Sequence, residues 1–250
     1  GWDVIVVGAG HAGCEAALAA ARLGCRTLLI TATPGAVARM PCNPSIGGLA
    51  KSHLVYEIDA LGGETGFAAD CAGLQFRTLN ASRGPAVRAT RVQCDKLGYA
   101  ARLRAVVLAT PHLELFEGEE VTGLSLAGTP PQRVLGVRTK QSGHLAARCV
   151  VVTAGTALGG TIHIGKEVVP GGGDGRAAAH ALSQSLREAG FDLMRLKTGT
   201  PPRLDPASID YERTQIQRGD EPPPLFSWRG KRLFAKHHSS GAGGDVAVGD

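Results

Sequence analysis

At 250 residues the chain is long enough for one large hydrophobic core, or for one core with a small appendage. A composition of 43% hydrophobic residues with 35 glycines and only 4% aromatics fits a glycine-turned α/β protein, and no apolar run approaches the ~18–20 residues that would cross a bilayer. Six cysteines without a CxxC pair or a nearby histidine argue against a zinc site and a disulfide framework and point to a reducing compartment, while the net charge of +5 admits an anionic partner without demanding one.

The chain opens "GWDVIVVGAG", with no initiator methionine and no charged-then-apolar leader, so neither a secretory signal nor a transit peptide is expected in it. Asp3 to Val7 is a short apolar run of the kind buried on both faces of a parallel sheet. Gly8, Ala9, Gly10, His11, Ala12 and Gly13 follow as GxGxxG, and the alanine-rich stretch from Ala12 to Leu23 predicts a helix capped by Gly24. "RTLLIT" returns as the next strand. A glycine triplet between a strand and a helix is the context of a dinucleotide turn: Gly8 makes the bend, Gly10 lets backbone approach a pyrophosphate, and Gly13 lets helix and strand pack closely. The helix N-terminus then faces the phosphates. Thr31 and Ala32 stand where an acidic residue would hold the ribose, so the cofactor's identity does not follow from that position.

"PCNPSIGG", residues 41–48, predicts a rigid loop that carries a thiol. Asn43-Pro44 restricts two backbone positions and Gly47-Gly48 admits close approach of the chain. Alone, Cys42 reads equally as a reactive group or a small hydrophobe. "QFRTLNASRGPAVRATRVQCDK" then clusters Arg77, Arg83, Arg88, Arg91 and Lys96. The spacing from about Ala86 predicts a helix with Arg88 and Arg91 on one face, able to fork onto phosphates or to form a solvated face with Asp95 as a partner.

"RVLGVRTKQSGHLAARCVVVTAGT" predicts two alternating strands feeding a third, which ends at Thr153-Ala154-Gly155-Thr156. By fold analogy this β-meander, placed near 110–150, favours a flavin over a free nicotinamide nucleotide. "RLKTGTPPR" predicts a binding loop with Arg195, Lys197 and Arg203 around a Pro-Pro turn. The tail from Lys231 is polar and glycine-rich, predicts disorder, and offers no metal partner to His237 and His238.

Five blocks together, "GAGHAGCEAALAAARLG", "MPCNPSIGGLAKSHLVYEIDALGG", "LNASRGPAVRATR", "TAGTALGGTIHIG" and "RLKTGTPPRLD", resemble the N-terminal part of the MnmG family, also called GidA, from residue 1 to about 229. The resemblance implies a Rossmann-like, doubly wound FAD-binding domain over residues 1–200 and the start of an inserted subdomain over 201–250. It implies an FAD-dependent enzyme that adds a carboxymethylaminomethyl group to carbon 5 of a tRNA wobble uridine. NADH is the reductant and methylenetetrahydrofolate the one-carbon donor, in a cytoplasmic homodimer partnered by the GTPase MnmE, with an organellar matrix as the other setting.

The site residues so implied are Cys42 as the catalytic thiol, and Gly8, Ala9, Gly10, His11, Ala12, Gly13, Val121, Thr153 and Gly155 at the cofactor. Arg77, Arg83, Arg88, Arg91, Lys197 and Arg203 are the implied tRNA contacts, with no metal and no membrane. The chain departs from the family at Pro41, Ala50 and Ser52, and in "GGGDGRAAA", where basic and acidic positions are exchanged or lost. It also stops before the family's second active-site cysteine. A non-catalytic nucleotide- or tRNA-binding fragment and a related flavin- and folate-dependent tRNA methyltransferase are the alternatives.

Overall fold

The computed structural model describes residues 1–41, 43–129, 131–173, 175–199 and 202–239, the side chains of 237–239 excepted. Cys42, Asp174 and the His237–His238 side chains therefore lie outside the described residues. Among those described, the strands are β1 (Trp2–Val7), β2 (Thr27–Thr31), β3 (Ser45–Gly47), β4 (Gly73–Leu79), β5 (Ala89–Cys94), β6 (Leu113–Glu117), β7 (Val121–Ala127), β8 (Arg133–Thr139), β9 (His144–Val152), β10 (Thr161–Ile164) and β11 (Glu167–Pro170). The helices are α1 (His11–Arg22), α2 (Ser52–Ala60), α3 (Thr65–Cys71), α4 (Lys96–Ala109), α5 (His180–Glu188) and α6 (Trp228–Ser239).

Two compact units divide the chain: Gly1–Pro44 with Lys96–Ile216, and Ser45–Asp95 with Gln217–Asp250. Residues 45–95 thus leave the expected 1–200 block and join the C-terminal segment. Their short strands pair with one another, and none of them enters the large sheet.

The first unit is built on a six-stranded sheet in the order β6-β2-β1-β9-β8-β7. Four strands run parallel, and β7 and β8 are antiparallel. Ile5 and Val7 of β1 and Leu28 and Ile30 of β2 bury on one face with Val121, Leu124, Val137 and with Leu182 and Leu186 of α5. Each such side chain contributes about 1.5–3 kcal/mol by leaving water. Buried positions Cys14, Ala17, Leu18 and Ala21 recur at helical spacing on α1, which packs against β1 and β2.

The meander starts later than 110, because α4 leads into β6, which joins the parallel sheet beside β2. Only two strands, not three, occupy "RVLGVRTKQSGHLAARCVVVTAGT". The nine-residue β9 serves both neighbours, pairing antiparallel with β8 (Gly136↔Ala146) and then parallel with β1 (Val4↔Cys149).

The second unit carries a three-stranded antiparallel sheet, β3-β5-β4, with α2, α3 and α6. Two expectations fail here. Residues 85–87 form a single 3₁₀ turn and 89–94 a strand, so Arg88 and Arg91 share no helix face. The alternation in "ATRVQC", with Thr90, Val92 and Cys94 buried, is a strand period that outweighs the arginine spacing. Of the tail expected to be disordered from Lys231, residues 231–239 are helical, and 240–250 lie outside the described residues. The start of α6 is fixed from elsewhere: the Ser227 hydroxyl accepts from the Arg229 N–H at 3.1 Å, and Asp70 accepts from the Phe226 and Ser227 N–H groups at 2.8 and 2.7 Å.

Candidate functional site

The glycine turn connects β1 to α1 where β1 lies between β2 and β9. Gly8 has a φ of +100° and donates its N–H to the Ile30 carbonyl at 2.8 Å. The Thr153 hydroxyl, at the end of β9, lies 2.9 Å from both the Val7 and the Gly8 carbonyls. A Cβ on Gly13 would collide with the Gly8 carbonyl, so this approach of helix to strand is open to glycine alone. At Gly10 a Cβ would meet nothing within 4 Å. Gly10 and Ala12 are exposed. Helix α1 has no side-chain N-cap and no acidic residue in its first turn, which leaves its leading N–H groups and dipole to an external anion. These residues fit a dinucleotide pyrophosphate.

His11 turns away from that opening. Its Nδ1 is 3.1 Å from the Tyr99 hydroxyl of α4, the rings meeting edge-on at 5.5 Å, and burial pushes its pKa down, favouring the neutral ring. Burial also pushes the Cys14 thiol up to about 12, and its Sγ contacts the Ala9 carbonyl at 3.6 Å, so this cysteine is inert packing. Ala9 is buried and accepts the Ala38 N–H at 2.8 Å, which ties the chain ahead of Cys42 to the glycine turn.

Thr153 meets the turn through its hydroxyl, and Gly155 opens the 3₁₀ turn two residues further on. Val121 buries its side chain in the core, leaving only main chain for a ligand. The glycine-rich segment 171–173, to which the sequence assigned no role, folds onto the 3₁₀ turn at 155–157. The Thr156 hydroxyl donates to Gly172 at 2.7 Å, and a Cβ on Gly172 would fall 2.8 Å from Ala157 Cα. Arg195 donates to the Gly159 carbonyl at 2.7 Å, a structural use of a residue in the "RLKTGTPPR" block. At the end of β2, Thr31 pairs with Glu117 of β6, whose carboxylate takes the Gly35 N–H and Arg104, both at 2.8 Å. Glu117 thus lies beside the end of β2, where the sequence rule anticipates an acidic residue of β2 itself, and its carboxylate is bonded within the fold.

The proposed nucleic-acid contacts divide between the units. Lys197 and Arg203 are exposed in the first. In the second, Arg83 and Arg88 are exposed around the 3₁₀ turn, with Arg88 donating to the Arg83 carbonyl at 3.2 Å, and Arg77 and Arg91 are half-buried on neighbouring strands. No helix is long and apolar enough to cross a membrane, and no group of three metal-ligating side chains occurs among the described residues.

A parallel sheet with a strand–glycine turn–helix opening defines the first unit as a Rossmann-like dinucleotide-binding fold. The model of the glucose inhibited division protein A family matches residues 3–240, and the chain belongs to that family. It is 53% identical over 232 residues to the tRNA uridine 5-carboxymethylaminomethyl modification enzyme MnmG of Geobacter sulfurreducens, and 52% identical to that of Pelobacter propionicus. Each match covers 93% of this chain and 36% of the relative, so the chain spans about a third of the length of these relatives. Its structure is similar to Aquifex aeolicus GidA, with a TM-score of 0.83 and 44% identity over 91% of this chain and 37% of that one. The GidA-related protein of Thermus thermophilus is more distant, at a TM-score of 0.55 and 26% identity over 76% of this chain and 69% of that one.

Proposed function

We propose that this chain is the FAD-binding, N-terminal part of an enzyme that adds a carboxymethylaminomethyl group to carbon 5 of a tRNA wobble uridine. The observation that carries it is the glycine turn, closed to side chains at Gly13 and open at Gly10, in a chain of this family. Gly10 to Gly13 and the first turn of α1 would hold the pyrophosphate of FAD, with Thr153 bracing the turn from the end of β9. When bound, FAD supplies the redox chemistry, with NADH as reductant and methylenetetrahydrofolate as one-carbon donor.

Cys42 acts on the uridine. Its thiolate adds to carbon 6, forming the C–S bond and moving the ring π pair through carbon 5 toward the carbon 4 oxygen, which makes carbon 5 nucleophilic. Proton transfer at carbon 5 is the other role open to it. Met40 of the first unit and Ile46 of the second, on either side of Cys42 in the sequence, are each buried. Arg77, Arg83, Arg88, Arg91, Lys197 and Arg203 attract the tRNA backbone. The GTPase MnmE is the partner of the whole protein, which acts as a homodimer in the cytoplasm.

The test is FAD retention. Chain mixed with FAD and desalted keeps flavin absorbance near about 450 nm, Gly10→Ala folds normally but loses FAD at least about tenfold more readily, and Gly13→Ala loses the turn itself. Loss of the flavin from the parent chain overturns the cofactor assignment. In the complete enzyme, Cys42→Ser abolishes uridine modification; unchanged modification removes Cys42 from the mechanism.

A further inference from the structure

The two faces of the β4–β5–β3 sheet meet different surroundings. Thr90, Val92 and Cys94 are buried, and the Thr90 hydroxyl lies 2.8 Å from the Tyr56 hydroxyl of α2, so α2 covers that side. The alternate positions form a polar row in which Arg91 stands directly opposite Arg77, and Gln93 directly opposite Gln75. Opposed side chains on adjacent antiparallel strands have Cβ atoms only ~4.5–5.5 Å apart, where like charges repel.

Neither arginine is neutralised by a carboxylate among the described residues. Arg77 Nη1 donates to the uncharged Gln217 Oε1, and its Nε is buried with no acceptor. On the same face, Gln93 Oε1 is buried with no donor. Two arginines at opposed register positions, one with a buried Nε–H that meets no acceptor, are an arrangement that an anion stabilises.

We infer that Arg77 and Arg91 form a two-guanidinium clamp for one phosphate-type oxyanion, with the Gln93 amide bonding a polar group beside it. The planar fork of each guanidinium matches the paired oxygens of a phosphate. This is a localised site, unlike the diffuse attraction of the exposed Arg83 and Arg88. An RNA phosphodiester and a free inorganic or nucleotide phosphate present the same chemistry. The clamp rests on the RNA-binding reading above only for the source of its phosphate.

The test compares thermal unfolding of the chain in sodium phosphate and in sodium chloride at equal ionic strength. Phosphate at ten times its Kd is expected to raise the midpoint by about 3 °C over chloride. Arg91→Gln is expected to lose that rise while its chloride midpoint stays level or increases, since the opposed charge is gone; Arg83→Gln keeps the rise. Arg91→Lys, which retains charge and stem without the fork, carries the same test if Arg91→Gln fails to fold. No phosphate-specific rise in the parent chain, or a full rise in the Arg91 variants, overturns the clamp.

A fluorescence anisotropy titration with tRNA distinguishes the sources. Weaker tRNA binding by Arg91→Gln assigns the phosphate to RNA, and unchanged binding with the phosphate effect lost assigns it to a free phosphate. A phosphate rise in a chain that binds no tRNA sustains the clamp and removes the RNA reading instead.

Discussion

Ala50 adopts a left-handed backbone, φ +58°, in the bend between β3 and α2. An L side chain there costs roughly 1 kcal/mol, of which the added backbone freedom of glycine in the unfolded chain gives part back. Ala50→Gly is therefore expected to stabilise the second unit by about 0.5 kcal/mol, a shift in urea midpoint with an unchanged m-value. Gly47, three residues earlier, shows the opposite case. Its φ is +82° and a Cβ would lie 2.6 Å from the Phe226 ring and collide with the Thr90 carbonyl, so Gly47→Ala is expected to unfold the unit.

Helix α6 is held by charge as much as by packing. Arg229 pairs with Glu64 at 2.8 Å and stacks on Phe67 at 4.2 Å, and Glu64 is only 3% exposed. Arg229→Ala takes an ionic partner from that buried carboxylate; with the arginine itself half exposed, the loss is expected to fall below that of a fully buried pair, about 2 kcal/mol by urea unfolding. Asp70 adds a pH dependence. Burial pushes its pKa up to about 6, against the lowering effect of the Phe226 and Ser227 N–H groups. Between about pH 4 and 6 the unfolded chain gives up this proton while the folded chain keeps it, so its contribution is full below 4 and lost as pH rises through 6. Asp70→Asn is expected to remove that fall, on the order of 2 kcal/mol, from a comparison of urea midpoints at pH 4 and 7.

Such contacts also explain what was legible in the sequence. The strand, turn and helix from Trp2 to Arg22 follow from local pattern, because apolar run, glycine triplet and alanine content agree. Strand β5 was readable from the alternation of Thr90, Val92 and Cys94, which the spacing of the arginines obscured. Helix α6 was not, since its start depends on Asp70 and Asp59, more than 150 residues earlier in the chain. At the site, the strand–glycine turn–helix geometry was legible by residue, whereas the opposition of Arg77 and Arg91 needed the strand register.

At the scale of the molecule, the positively charged side chains assigned to RNA fall on both units, Arg77, Arg83, Arg88 and Arg91 on one and Lys197 and Arg203 on the other. A net charge of +5 alone gives only weak, general attraction. Direct phosphate contacts differ from such attraction in salt response, because each one releases a condensed counterion and adds about 0.7–0.9 to the slope of log K against log salt. Arg77→Ala and Arg203→Ala are each expected to weaken tRNA binding and to flatten that slope by about 1 in anisotropy titrations at several salt concentrations. Weaker binding with an unaltered slope would mean that the arginine stabilises its loop or strand without touching RNA. Flattening in Arg203→Ala but not in Arg77→Ala would confine the RNA contact to the first unit and leave the opposed arginines of the second to a phosphate from another source.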